Sequence, residues 1–269
     1  MDGGPYFSTG QSRPMDIVTA LGGDSADGLF GVSSSGTVLW QRWNGAAWLL
    51  NLSVPSGASS TGYLTYTIVD PTQAGAPQVD TTEAALSFDG STLIVRSEAQ
   101  DALEEAAIQG RPPALGPLSQ GHFVAFNQSL QGSIIYPSTL TADGLTFYYE
   151  IGNAPDPAAD GIYSTTRTSI DAQFPAGTLL PADIQQAFMS VGGISSDQLT
   201  AFFTDYSWNM HVITRGSKDS PWSATPNGAP TPAIPYYFNG FPTADCRYLF
   251  VNCTPGGVDQ SRICQLPRL

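Results

Sequence analysis

An Asp-centred turn followed by a short apolar strand occurs five times along this chain. The turns are Ser25-Ala26-Asp27-Gly28, Ser87-Phe88-Asp89-Gly90, Thr141-Ala142-Asp143-Gly144, Ser195-Ser196-Asp197-Gln198 and Thr243-Ala244-Asp245-Cys246. Subtracting the Asp positions gives steps of 62, 54, 54 and 48 residues. The strands that follow are Leu29–Val32, Leu93–Val95, Leu145–Tyr149, Leu199–Phe203 and Tyr248–Val251. A repeat of this period constrains the fold more than any single motif, because each copy must be one supersecondary unit that stacks on its neighbours. Gly after the Asp supplies the positive φ that an Asp-Gly turn needs. Gln198 and Cys246 stand in its place in two copies, so those two turns are expected to be of another type.

The clearest copy is Ile134–Phe174. It reads as a strand ending at Leu140, the Asp143-Gly144 turn, a second strand Leu145–Tyr149 and a third over Ile162–Thr166, all rich in β-branched and aromatic residues. Third strands recur at Val38–Arg42, His211–Arg215 and Arg262–Arg268. The second copy departs: Gln100–Gln109, rich in Ala, Glu and Leu, is expected to be a helical turn or loop insertion. After the recurring Arg, three copies reach an aromatic residue (Trp48, Phe174, Trp222) before an outer strand.

About 50 residues carrying four strands is the size of a β-propeller blade. With 41% hydrophobic residues the chain can bury a large core, and its 28 Gly and 21 Pro suit many short strands joined by turns. The repeat resembles the TolB-like propeller family, in which a Ser-Pro-Asp-Gly-type turn precedes a Leu-Tyr-Phe-type strand and then an Ile-Tyr-x-x-x-Arg strand. The resemblance spans residues 17–269 and is strongest over Pro137–Trp222, although Ala, Phe or Ser replaces the family's Pro before the Asp. It implies a fold and says little of function, since such repeats serve scaffolds, binders and enzymes.

The expected architecture is all-β: a single propeller of five four-stranded blades over residues 17–269, closed by an N-terminal arm within residues 1–16. The last copy ends after its third strand, so the arm, around Tyr6–Thr9, is the expected donor of the missing outer strand. Ring closure of this kind removes exposed edges. A sixth blade is conceivable if the strand Tyr63–Val69 belongs to a degenerate copy.

Twenty-three acids against 10 bases give a net charge of −13, which argues against nucleic acid and anionic membrane surfaces as partners. No apolar run reaches the ~18–20 residues of a membrane span. Met1–Pro5 has neither the basic nor the apolar region of a signal peptide, and an extracytoplasmic setting (secreted, periplasmic or lipid-anchored) is instead suggested by three clustered cysteines, a single Lys and the TolB-like resemblance. Cys246, Cys253 and Cys264 allow one disulfide with one cysteine left over. Asn51, Asn127 and Asn252 match the glycosylation sequon.

Second-to-third strand loops of a propeller share the face that usually carries a ligand at the channel mouth. Those loops read as Ser33–Gly36, Ser97–Ala107, Glu150–Gly161, Thr204–Met210 and Asn252–Ser261. They hold nine of the 23 acids: Glu98, Asp101, Glu104, Glu105, Glu150, Asp156, Asp160, Asp205 and Asp259. Tyr136, Tyr206, Trp208, Tyr236 and Tyr237 add aromatic rings to the same face. Carboxylates with aromatic faces suit a cation, a cationic group or a sugar. The bland alternative is that polar loops simply carry an acidic protein's acids. Glu150, Asp156 and Asp160 could supply oxygen ligands to Ca2+, though not at EF-hand spacing. Glu83, Glu150, Asp205 and His211 are candidate catalytic groups. His211 reads as a general base or weak metal ligand, against its ordinary role as a hydrogen-bonded structural residue. His122 is expected on an outer strand, and the repeated Arg42, Arg167, Arg215 and Arg268 as blade-to-blade contacts.

The leading expectation is therefore a non-catalytic binding propeller that takes a small-molecule, sugar or cationic ligand at an acidic, aromatic channel mouth. The alternative is a glycoside hydrolase or lyase, in which two carboxyls would flank the scissile bond at ~5–10 Å. A third reading is a protein-interaction scaffold. No Gly-x-Ser-x-Gly elbow, phosphate-cradling Gly loop or HExxH appears.

Overall fold

A computed structural model describes residues 15–16, 28–56, 63–77, 79–97, 102–110, 112–129, 133–154, 156–225, 233–234, 237–253 and 262–267. Five four-stranded antiparallel sheets form a ring, a five-bladed β-propeller. From inside outward, blade 1 is β2 (Gly28–Val32), β3 (Val38–Trp43), β4 (Trp48–Pro55) and β5 (Tyr63–Val69). Blade 2 is β6 (Val79–Leu86), β7 (Thr92–Ser97), β8 (Ala102–Gln109) and β9 (Ala114–Leu115). Blade 3 is β10 (Ile134–Leu140), β11 (Thr146–Gly152), β12 (Gly161–Thr166) and β13 (Thr178–Leu179). Blade 4 is β14 (Phe188–Ile194), β15 (Thr200–Asp205), β16 (Met210–Thr214) and β17 (Ala233–Ile234). Blade 5 joins β18 (Tyr237–Pro242), β19 (Tyr248–Cys253) and β20 (Arg262–Pro267) to β1 (Met15–Asp16), which pairs with β20 through Met15↔Gln265 and Asp16↔Cys264.

The N-terminal arm thus closes the ring, with Met15–Asp16 as the strand; Tyr6–Thr9 lies outside the described residues. Tyr63–Val69 is the outer strand of blade 1, which removes the sixth blade. Residues 102–109 are the third strand of blade 2 rather than a helix. Burial of Leu103 and Ala106 against neighbouring strands outweighs the weak helical preference of the segment. Blade 1 is also read one strand out of phase: Leu29–Val32 lies on its innermost strand, and Val38–Trp43 is its second. Its inner turn is Ser33–Gly36, where Gly36 has φ +80°, so that segment lies on the face opposite to the one expected of it.

The turn repeat has a physical basis that starts two residues before the Asp. Ser87, Thr141, Ser195 and Thr243 donate their hydroxyls to Asp89, Asp143, Asp197 and Asp245 at 2.6, 2.8, 2.6 and 2.7 Å. Each Asp then accepts the backbone N–H two residues on, at 3.0 Å in all four copies. Each hydroxyl accepts a further N–H, from Thr92, Thr146, Thr200 or Tyr248. Gln198 and Cys246, at φ +59° and +52°, occupy the same left-handed position as Gly90 and Gly144, so the turn type is shared rather than different. Arg167 and Arg215 also serve their own blades. They donate to the carbonyls of Gly144 and Gln198 at 2.8 Å and stack over Phe174 and Trp222, where blade-to-blade contacts were expected.

One apolar cluster fills each junction between neighbouring blades. Both faces of a blade are therefore covered, which explains why second strands read as apolar runs rather than alternations. On β11, Phe147 and Tyr149 pack toward blade 2 while Tyr148 packs toward blade 4. Near the axis, glycines permit the inner strands to touch: a Cβ at Gly192 would lie 2.8 Å from the Gly240 carbonyl oxygen. Cys253 and Cys264 form a disulfide between β19 and β20, leaving Cys246 outside it.

Candidate functional site

Every inner strand has an irregular register against its second strand, at Leu29/Gly31, Asp80/Ala84, Pro137/Thr139, Phe188/Ser190 with Val191/Ile194, and Phe238/Phe241. Bulges of this kind turn side chains that would otherwise follow the pleat. In blade 2 the irregular stretch contains Glu83, and in blade 3 it contains Ser138.

These bulges frame a group of carboxyls on the upper half of the channel, the half nearer the second-to-third strand loops. Glu150, on β11, accepts a hydrogen bond from the Ser138 hydroxyl at 3.0 Å and a longer one from the Val191 N–H of blade 4 at 3.4 Å. Burial pushes its carboxyl up to about 7, against the opposing effect of those two bonds. Glu83 is raised to about 8, first by burial and then by the charges of Glu150 and Asp80, with Arg96 pulling the other way. Both side chains keep partial exposure while protein surrounds them, as a narrow channel produces. Arg96 sits 3.5 Å from Asp80. The Tyr136 hydroxyl is raised by burial and by Glu83, which places it in the same field. Three sequence-selected residues, Glu83, Glu150 and Tyr136, thus come together. Asp80 and Arg96 join them from positions within strands, which loop composition does not reveal.

The other candidates take other parts. Asp205 ends β15, and burial of its carboxyl is outweighed by bonds from His211, Asn209 and Ser207, so it lies below the usual carboxylate range. His211 Nε2 is 3.0 Å from Asp205 and its ring packs on Phe188, so the pair holds the blade 4 loop. That loop presents Tyr206, 65% exposed, and Trp208, 55% exposed; Tyr206 donates to the Gln185 carbonyl and Trp208 packs edge-on against Phe238 of blade 5. Trp208 holds φ +60°, a left-handed conformation for a bulky residue. Tyr237 opens β18, and Tyr236 lies outside the described residues.

Glu150, Asp156 and Asp160 are not assembled into a calcium site. Asp156 accepts the Ala158 N–H and Asp160 the Ala154 N–H, both within their own loop. Among the described residues no group of three His, Cys, Asp or Glu could hold a metal ion. Glu104 and Glu105 lie on β8, not in a loop, while Glu98, Asp101 and Asp259 fall outside the described residues. His122 lies in a 3-10 turn, not on an outer strand, with Nδ1 2.8 Å from Glu105. A cleft of about 340 Å³ opens beside that pair between blades 2 and 3, away from the channel carboxyls. The sequons are closed to modification as placed: Asn51 and Asn252 are buried in strands, and the Asn127 amide is tied to Leu103.

Neither a family model nor a curated protein matches the sequence. In structure the chain is similar to a candidate TolB from Agrobacterium tumefaciens, at 15% identity and TM-score 0.45, covering 88% of this chain and 76% of that one. It is also similar to XC5397 from Xanthomonas campestris, a gluconolactonase, at 12% identity and TM-score 0.44, covering 98% and 94%. A candidate 6-phosphogluconolactonase from Bacteroides uniformis gives 9% identity and TM-score 0.39, covering 88% and 68%. The chain is a β-propeller. Among the described residues no helix is long and apolar enough to cross a membrane.

Proposed function

We propose that this propeller is an extracytoplasmic binding protein whose channel mouth takes a small ligand carrying a positive charge. One observation carries the reading: Asp80, Glu83 and Glu150 share one enclosed site in which Arg96, the one base found there among the described residues, faces Asp80. Arg96 offsets the raised value of Glu83 only in part and does not act on Glu150, and a bound ammonium would add the counter-charge both still call for. Tyr136 beside them adds a ring face that favours a cation or a flat polar ligand. The Cys253–Cys264 disulfide accords with an oxidising compartment.

The test is calorimetric titration with small primary amines near neutral pH. Binding that weakens at least tenfold on Glu83→Gln or Glu150→Gln supports the reading; equal binding by both variants and the unaltered protein sinks it.

A second reading is favoured by the same Glu83. A carboxyl raised to about 8 keeps its proton at neutral pH, as the general acid of a glycan-cleaving enzyme must. Turnover of a glycan panel that disappears in Glu83→Gln would select it. An absence of turnover from the unaltered protein leaves the binding reading standing.

A further inference from the structure

One position recurs on the second strand of every blade, nine residues after the hydroxyl residue that opens the turn (eight in the shorter turn of blade 1). It is occupied by Gln41, Arg96, Glu150, Thr204 and Asn252. Cross-strand partners fix the equivalence: Gln41 faces Gly28, Glu150 faces Tyr136, Thr204 faces Ser190 and Asn252 faces Phe238. Alternation along the strand turns each of these side chains toward the next blade, because the residue two positions earlier packs in that junction. Leu39 packs with blade 2, Tyr148 with blade 4, Phe202 with blade 5 and Phe250 with blade 1. The result is a polar ring at one height around the axis, inside an otherwise apolar layer.

Three members have polar partners. Glu150 reaches the Val191 N–H, Thr204 accepts the Asn239 N–H at 3.3 Å, and Arg96 meets Asp80. Gln41 Oε1 and both polar atoms of the Asn252 amide do not. Asn252 is fully buried, and neither its Nδ2 nor its Oδ1 has a hydrogen-bond partner. Gln41 is 9% exposed and its Oε1 is unpartnered. Its amide lies across the inner strand, where a Cβ at Gly28 would come within 2.8 Å of Nε2, so the glycine makes its path toward the axis. A buried polar group left unbonded costs about 1–3 kcal/mol, so Gln41 Oε1 and the Asn252 amide in one ring call for a bound polar group.

We infer that Gln41 and Asn252 form the hydroxyl-binding half of the channel site, and that its ligand is an amine-bearing polyol of amino-sugar type. The inference rests on the binding reading above, which supplies the ammonium at Glu83 and Glu150. Amides donate and accept at once, which matches hydroxyl groups that also do both. Gln41 projects toward blade 2, the blade that carries Glu83, so the amide half adjoins the carboxyl half. A plain amine would use only the carboxyls.

Glucosamine and cyclohexylamine share a ring and an ammonium and differ in hydroxyls, so both are titrated into the unaltered protein, Gln41→Met and Asn252→Thr. Thr is the residue blade 4 already carries at this position, and Met keeps the length of Gln, so both variants are expected to fold. Circular dichroism and the melting temperature check this. The expected result is a loss of glucosamine affinity of about three- to tenfold per variant with cyclohexylamine unchanged. Loss for neither ligand, as when the amides hold only water, or equal loss for both, overturns the inference while leaving the cation site intact. If neither amine binds the unaltered protein, the binding reading itself has failed.

Discussion

Replacing Glu150 by Gln should make this protein more stable at alkaline pH and leave it unchanged in mild acid. Gln keeps the acceptor that Ser138 and Val191 use and removes the charge. The folded-state carboxyl sits at about 7 against an ordinary 4.5, and Glu83 at about 8. Both folded values are raised, so between about pH 4.5 and 8 the folded chain binds more protons than the unfolded one, and stability falls as pH rises. For Glu150 alone the full effect above pH 7 is of the order of 3 kcal/mol. Removing its charge also relieves Glu83, whose raised value owes part to Glu150. Urea unfolding at about pH 5 and about pH 8 reads this directly: the two proteins should coincide at the lower pH and differ by up to about 3 kcal/mol at the higher. Parallel stability curves for the two proteins across that range would refute the placement of Glu150 in an enclosed site. A destabilising functional charge of this kind is the expected trade of stability for binding.

Other consequences are accessible to simpler assays. Asp143→Ala removes acceptors used by Thr141, Leu145 and Gln198 and should cost about 1–2 kcal/mol in chemical unfolding. Asp89, Asp143 and Asp245 are held below the usual range by hydrogen bonds that outweigh whatever burial they have, so their contribution is present above about pH 4 and lost below it, which acid titration of the fold should show. Cys246→Gly relaxes a left-handed backbone at φ +52° and should raise stability by about 0.5–1 kcal/mol, measured by melting. Reduction of Cys253–Cys264, which are 11 residues apart, should lower stability by about 2–3 kcal/mol.

Much of the ring was legible because each blade must repeat one local solution. The Asp turn, the apolar second strand and the Arg before an aromatic marked blades 3 and 4, where Arg167 stacks on Phe174 and Arg215 on Trp222. Blade 1 misled because Ser35 stands where the others have Asp. The hydroxyl of Ser33, 2.9 Å from Ser35, would have located the turn. Residues 102–109 misled because propensity is a weak local preference that a paired, buried strand overrides. The site was half legible. Loop acids such as Asp156, Asp160 and Asp205 drew attention, yet their carboxylates hold their own loops. Asp80 and Arg96 are not legible in the sequence, because bulges and strand position, not composition, bring them to the channel. Gln41 and Asn252 become visible only when five second strands are aligned by their turns.

The central claim, a cation site built on Glu83 and Glu150, is tested most directly by proton-linked calorimetry. Cyclohexylamine is titrated near pH 7 in buffers of different ionisation enthalpy, and the same titration is repeated near pH 6 and pH 8. A cation beside carboxyls raised to about 7 and about 8 lowers both, so binding should release protons and tighten as pH rises from 6 to 8. Binding without proton release, at an affinity indifferent to pH, would contradict the account.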